Sequence, residues 1–271
     1  MLPGDRFAVL RRPRRLWAVA ALHGEARALR DLHRQLEPAL RPGDRLVYLG
    51  NLLGWTDGIT AALDELLAFR ARLIARPGAG ACDVVYLRGA QEEMWQKLLQ
   101  LQFAANPADV LRWMLDQGVG ATIRAYGSEP EAGLKAASAG AVQLARWTNG
   151  LRAAVQAMPG HAALLGAVKR AAYADDRSAL FVHAGLDPRE SLAQQGDILW
   201  WGGGFSSIAE PYQGFKVVVR GYDRAHAGVQ TAEFSATVDG GCGFGGPLLA
   251  ACFDLDGRII DLLEGNPRAA A

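Results

Sequence analysis

The sequence predicts an α/β fold: an αββα sandwich of two mixed β-sheets flanked by helices, with a helical insertion. Three observations carry this. The first ninety residues repeat a short apolar run, a glycine-containing turn and an amphipathic helix, which argues for βαβ units and a largely parallel sheet. The stretch 107–170 carries apolar residues at helical spacing. After Asp175 short apolar runs alternate with glycine-rich turns. Two sheets packed face to face between helices accommodate both halves.

In chain order, Leu16 to Ala21 reads as a strand leading to a helix from about Glu25 to Leu36. Arg45 to Leu49 leads past Gly50 to a helix around Ile59 to Ile74, with Arg41-Pro42-Gly43-Asp44 as the breaker before that strand. Asp83 to Leu87 leads past Gly89 to a helix from about Gln91 to Phe103. From Pro107 to Arg170, Val110, Leu111, Met114 and Leu115, then Leu144, Trp147, Leu151 and Val155, mark helices that are expected to cover one sheet edge. The chain is read as one domain over 1–271 with this insertion inside it. Strands are then expected at Ala179–Val182, Val217–Val219, Thr237–Val238, Leu248–Phe253 and Ile259–Leu263. Asp254-Leu255-Asp256-Gly257 reads as the hairpin turn between the last two, so the chain should end as a meander.

The composition excludes several classes. Of the 271 residues, 50% are hydrophobic and 21% charged, the balance of a globular protein, and the formal net charge of +1 gives no field to draw in nucleic acid or an acidic membrane. The richness in arginine and alanine fits a GC-rich coding sequence of bacterial type. Cys82, Cys242 and Cys252 are too few and too scattered for a disulfide framework or a zinc knuckle, so a reducing cytoplasm is expected. No run of eighteen apolar residues exists to span a membrane. Arg11-Arg12-Pro13-Arg14-Arg15 looks like the front of a leader, but the apolar stretch to Leu22 is short and is cut by His23-Gly24-Glu25. It reads as a solvated lead-in to a first strand.

Ligands of α/β sheets bind beyond the carboxyl ends of the strands. At those junctions stand Ala20-Ala21-Leu22-His23-Gly24, Gly50-Asn51-Leu52-Leu53-Gly54-Trp55-Thr56, Gly89-Ala90-Gln91-Glu92, His183-Ala184-Gly185 and Val219-Arg220-Gly221-Tyr222-Asp223. In this order, and over nearly the whole chain, they resemble the calcineurin-like metallophosphoesterases, best the protein serine/threonine phosphatase-like branch. That resemblance implies a two-metal centre in which a metal-activated bridging water attacks a phosphate ester. It also implies that much of the centre is missing. Against Gly-Asp-x-His-Gly, the aspartate is Ala21 and His23 remains. Against Gly-Asp-x-x-Asp-Arg-Gly, the bridging aspartate is Asn51, the second aspartate Gly54 and the arginine Trp55. Against Gly-Asn-His-Glu, the ligand asparagine is Ala90, the general-acid histidine is Gln91 and Glu92 remains. The His-Ala-Gly strand end survives at His183. The histidine of Val-x-Gly-His-Thr is Tyr222, and the arginine of Trp-x-Arg is Gly202, after Trp200-Trp201. Val238-Asp239-Gly240-Gly241 through Gly246 and Leu248 resembles the family's last glycine turn.

Two divalent cations need negative charge between them, and His23, Asn51 and His183 supply none. The expectation is therefore a catalytically impaired or inactive protein with no cofactor, binding a protein or small-molecule partner whose identity the sequence does not give. Two alternatives stand beside it. One is an active hydrolase with a single zinc or manganese on His23 and His183, completed by Asp223, His226, Glu25 or Glu92. The other is a structural subunit that uses the helical insertion as its contact surface. The bland reading of both histidines is hydrogen bonding within packed strand ends.

Other patterns fall away. Gly241-Cys242-Gly243-Phe244-Gly245-Gly246 fits a dinucleotide fingerprint by letter but precedes a strand, and no P-loop exists. Cys242 is expected to be a packed small residue rather than a nucleophile. Trp55, Trp201 and Tyr222 replace polar or cationic groups and either plug the pocket or form a stacking floor for a planar ligand.

Overall fold

A computed structural model describes residues 6–267. Its strands form two sheets. The first has six: β1 (Phe7–Leu10), β5 (Ala171–Ala174), β6 (Ala179–Val182), β7 (Val217–Arg220), β9 (Ser235–Asp239) and β8 (Gly228–Thr231), in that spatial order. The second has five: β11 (Ile259–Gly265), β10 (Leu248–Phe253), β2 (Arg15–Val19), β3 (Asp44–Tyr48) and β4 (Val84–Tyr86). Strand alternation sorts the side chains. On β6, Phe181 points between the sheets and meets Phe253 of β10 with ring centroids 6.3 Å apart. Leu180 and Val182 point outward into a second apolar cluster with Trp200, Phe205 and Phe215.

Helix α1 (Ala26–Ala39) packs on β10 and β11 and against α2 (Ile59–Ile74), and α3 (Ala90–Leu98) follows β4. The insertion consists of α4 (Pro107–Asp116), α5 (Val119–Ala125), α6 (Pro130–Ser138), α7 (Ala141–Ala157) and α8 (His161–Ala167). Its helices pack on one another, on the 3₁₀ turn Leu101–Phe103, and on α2 and α3, rather than along a sheet edge. Two buried histidines seam this layer: His33 of α1 lies between Glu65 (2.7 Å) and Tyr48 (2.7 Å), and His161 between Tyr126 (2.9 Å) and Asp64 (3.1 Å). A last short helix, α9 (Ile198–Trp201), covers the outer face of the first sheet.

Several expectations change. Among the described residues β1 comes before the basic cluster, so Arg11 to Arg14 is a crossing between the two sheets and not a lead-in to a first strand. Arg15 is tied to Asp44 at 2.6 Å and to the Ala39 carbonyl at 2.9 Å. The second half is not a meander, because β6, β7 and β9 run parallel; only β5–β6, β8–β9 and β10–β11 turn back as hairpins. The helix expected to reach Phe103 stops at Leu98, and Phe103 ends a separate 3₁₀ turn with its ring 81% exposed. β1, β5 and β8, of four residues each, were not expected, although β6 and β7 are as short and stand at expected runs. Among the described residues no helix is long and apolar enough to cross a membrane.

Candidate functional site

The carboxyl ends of β2, β3 and β4 in one sheet meet those of β6 and β7 in the other, and backbone bonds knit them together. Ala21 N–H donates to the Gly221 carbonyl at 2.9 Å, and Leu22 and His23 N–H both donate to the Asn51 carbonyl, at 3.1 and 2.6 Å. Gly221 and Tyr222 N–H donate to the His183 carbonyl at 3.0 and 3.1 Å. The cost is local strain: His23 (φ 53°), Asn51 (φ 49°) and His226 (φ 48°) are non-glycine residues in the left-handed region. Such outliers persist only where surrounding structure holds them.

The glycines that survive at these junctions have specific reasons. A Cβ at Gly50 would lie 2.7 Å from the Gly89 nitrogen and 2.9 Å from His183 Nδ1. At Gly89 and Gly221 the φ is ordinary, and what forbids a side chain is close approach, to Asn51 and to Leu49.

Glu92 is the clamp of the site. Its carboxylate accepts N–H bonds from Gly89 (2.7 Å), Asn51 (2.9 Å) and Leu53 (2.9 Å). Burial pushes its pKa up, against the pull of those bonds. Both oxygens are used by the backbone, so the surviving glutamate holds the Asn51 loop and is not free to take a metal. Asn51 Oδ1 accepts the Gln91 N–H at 3.0 Å at the start of α3, and its Nδ2 lies 3.4 Å from His23 Nε2.

His183 and His23 are both fully buried. His183 Nδ1–H donates to the Leu49 carbonyl at 2.6 Å, which fixes the tautomer and leaves Nε2 without a partner. Burial pushes His183 down to about 4. Burial first, then His183 and His226, push His23 down to about 3. Both rings are neutral at pH 7. The Tyr222 ring lies beside both, stacked on His183 (centroids 5.5 Å, 12°) and edge-on to His23 (5.7 Å).

The other substituted positions build an aromatic mouth. Trp55, 41% exposed, packs over Gly118 of the insertion, where a Cβ would lie 2.5 Å from its indole, and tilts against Phe244 at 5.6 Å. Phe244 in turn touches His23 at 5.1 Å and stacks on His226 at 4.4 Å. Gly54 leaves room for the His23 ring: a Cβ there would be 2.7 Å from Nδ1. Ala21 and Ala90 are small, buried wall residues. Gly202 ends α9 with a positive φ of 82°.

A metal centre does not fit these residues. Among the described residues no group of three His, Cys, Asp or Glu is placed to hold an ion. The candidate extra ligands are spent elsewhere: His226 Nδ1 pairs with Asp239 at 2.9 Å, and Asp223 with Arg220 at 3.0 Å. Asp239 itself accepts the Asp223 and Gly241 N–H groups at 2.8 and 2.9 Å. Glu25 precedes the first turn of α1, and its carboxylate joins no such group. Cys242 is buried, with its thiol pushed up by burial and its Sγ 3.4 Å from the Leu22 carbonyl, so it is not poised as a nucleophile.

Sequence reasoning missed Phe244 and Arg224, and named His226 only as a possible third metal ligand. Phe244 sits in a glycine turn whose letters gave no reason to bring it to His23, and His226 and Arg224 follow Tyr222 on a loop with no motif.

Solved structures share this architecture. The chain is similar to a provisionally assigned diadenosine tetraphosphatase (TM-score 0.53, 19% identity, 96% of this chain and 98% of that one). It is also similar to a serine/threonine phosphatase from Saccharomyces cerevisiae with similarity to human phosphatase PP5 (TM-score 0.53, 14% identity, 96% of this chain and 83% of that one). The chain thus has the metallophosphoesterase fold, as the strand-end motifs implied. No protein-family model matches the sequence, and no curated protein does.

Proposed function

We propose that this protein does not hydrolyse phosphate esters and uses the metallophosphoesterase fold to bind a ligand or partner. One observation carries the reading: the Tyr222 ring is packed on both surviving histidines, 5.5 Å from His183 and 5.7 Å from His23. Two cations at that place would face one another with no carboxylate between them, and their repulsion in a low-dielectric pocket would go unscreened. The proton donor is also gone. Gln91 cannot act as a general acid, and its Nε2 is committed to the Gln117 carbonyl at 2.7 Å.

The test is metal analysis of the purified protein together with manganese-supplemented hydrolysis of p-nitrophenyl phosphate. The expected result is less than about a tenth of an equivalent of any divalent metal, since tight coordination would retain it, and no turnover above buffer. Turnover that Asn51→Ala abolishes would overturn the proposal.

A further inference from the structure

Two adjoining cavities remain beside the Tyr222 ring. The outer one, about 300 Å³, is walled by Trp201, Tyr222, the Gly202-Gly203 backbone, two arginines and Asp223, whose charge Arg220 offsets. The inner one, about 50 Å³, reaches down to His23, Asn51 and Gln91. Trp201, Tyr222 and Arg224 line both, so the two form one path from the surface to the floor of the site.

The arginines differ. Arg220 is spent on Asp223 (3.0 Å), Thr237 Oγ1 (2.9 Å) and the Ala184 carbonyl (3.4 Å). Arg224 is exposed and has no ion-pair or hydrogen-bond partner among the described residues. At the inner end the unsatisfied group is an acceptor. The Nε2 bond to the Gln117 carbonyl holds the Gln91 amide in one orientation and leaves Oε1 buried without a partner. A buried acceptor of this kind costs stability until a donor reaches it. His23 Nδ1, in the same inner wall, is also unpartnered.

We propose that this path binds a flat aromatic acid carrying an amino or hydroxyl group at the end away from the acid. The acid group pairs with the free Arg224 guanidinium, whose fork matches a carboxylate. The ring lies against Trp201 and Tyr222 in the outer cavity, which has room for one ring. The donor enters the inner cavity, which has room for one small group, and satisfies Gln91 Oε1. This assignment rests on the non-hydrolytic reading, because a metal centre would occupy the same ground.

The test is calorimetric titration of the full chain with 4-aminobenzoate, benzoate, 4-aminobenzamide and inorganic phosphate. The expected order places 4-aminobenzoate first. Removing its amino group or neutralising its acid should weaken binding about tenfold, the scale of one charge-assisted or buried hydrogen bond. Arg224→Gln should abolish the preference for acid over amide, and Gln91→Met the preference for aminobenzoate over benzoate. Thermal unfolding confirms that both variants fold. Equal binding of acid and amide, binding of phosphate alone, indifference to Arg224→Gln, or no binding of any probe at millimolar concentration each overturns the proposal. Metal content and ester hydrolysis of the same preparation separate the two readings. An inert protein that binds no aromatic acid sinks only the ligand, and a hydrolytic one sinks the reading beneath it.

Discussion

Acid should destabilise this protein, because two histidines are buried uncharged at its centre. His23 and His183 are held near pKa 3 and 4 by burial, against 6.5 when exposed. A depressed folded-state pKa means that the stabilising contribution is complete above pH 6.5 and is lost as pH falls toward the folded values. In that window the unfolded chain takes up two protons that the folded chain refuses. The loss is about 1.4 kcal/mol per pH unit for each ring, or about 4 kcal/mol for both at pH 5. That is a large part of the roughly 5–15 kcal/mol that holds a typical domain together. His33, pushed down by burial as well, acts in the same direction. Glu92 acts oppositely: its raised pKa gives stability that is present at low pH and lost as pH rises through the folded value. Comparing wild type with His183→Gln cancels both of these. Urea midpoints between pH 5 and 6.5 should show a slope shallower by about 1.4 kcal/mol per pH unit in the variant. Identical slopes would mean that His183 is not held neutral, and the packing of Tyr222 on its ring would need another explanation.

Three further outcomes are expected. Gly221→Ala drives a methyl group into Leu49 with no room to yield and should cost about 1–3 kcal/mol, read as a lowered urea midpoint. Glu92→Ala strands three buried N–H groups and should cost about 2–4 kcal/mol, with faster hydrogen exchange at the Asn51 and Leu53 amides than in wild type. The triple variant Ala21→Asp, Asn51→Asp, Tyr222→His returns two carboxylates and a histidine to the strand ends. It should melt lower than wild type in chelator and rise by roughly 5–10 °C with saturating manganese, the scale of ligand linkage at a hundredfold excess over Kd; an unchanged melting temperature on adding manganese would show that the backbone no longer forms the site.

Part of the fold was legible in the apolar runs. Ile59–Ile74, Ala179–Val182 and Leu248–Phe253 stand where the apolar runs placed them. The four-residue β1 and β5 were not legible, because their pairing is a contact between residues over 160 positions apart and nothing local reports it. The strand-end letters brought His23, Asn51, Glu92, His183 and Tyr222 to one place, but not what each does there. Glu92 was counted among possible ligands because a carboxylate is a ligand by type; only its three N–H donors reveal a clamp. Similarly, the letters do not say why glycine stands at Gly89 and Gly221: their backbone is unstrained and the reason is the proximity of Asn51 and Leu49.

On the proposed non-hydrolytic reading, the differences from the metallophosphoesterase motifs follow from what an empty two-metal centre would cost. Carboxylates clustered in a buried pocket repel one another and lack solvation once the cations leave, so each would be a source of instability rather than a neutral relic. Replacing Asp by Asn at position 51 removes a charge but keeps an oxygen to accept the Gln91 N–H at the start of α3 (3.0 Å). Tyrosine at position 222 fills space between the histidines with a ring that needs no counter-charge. The groups that stayed are those with a second task independent of metal: Glu92 on three amides, His183 on the Leu49 carbonyl, the glycines at close approaches. What has no such task is the pair of unsatisfied atoms in the inner cavity, Gln91 Oε1 and His23 Nδ1. A site relaxed purely toward stability would have paired or removed them, and their persistence under an arginine with no partner is the reason to look for a ligand there rather than for a vestige.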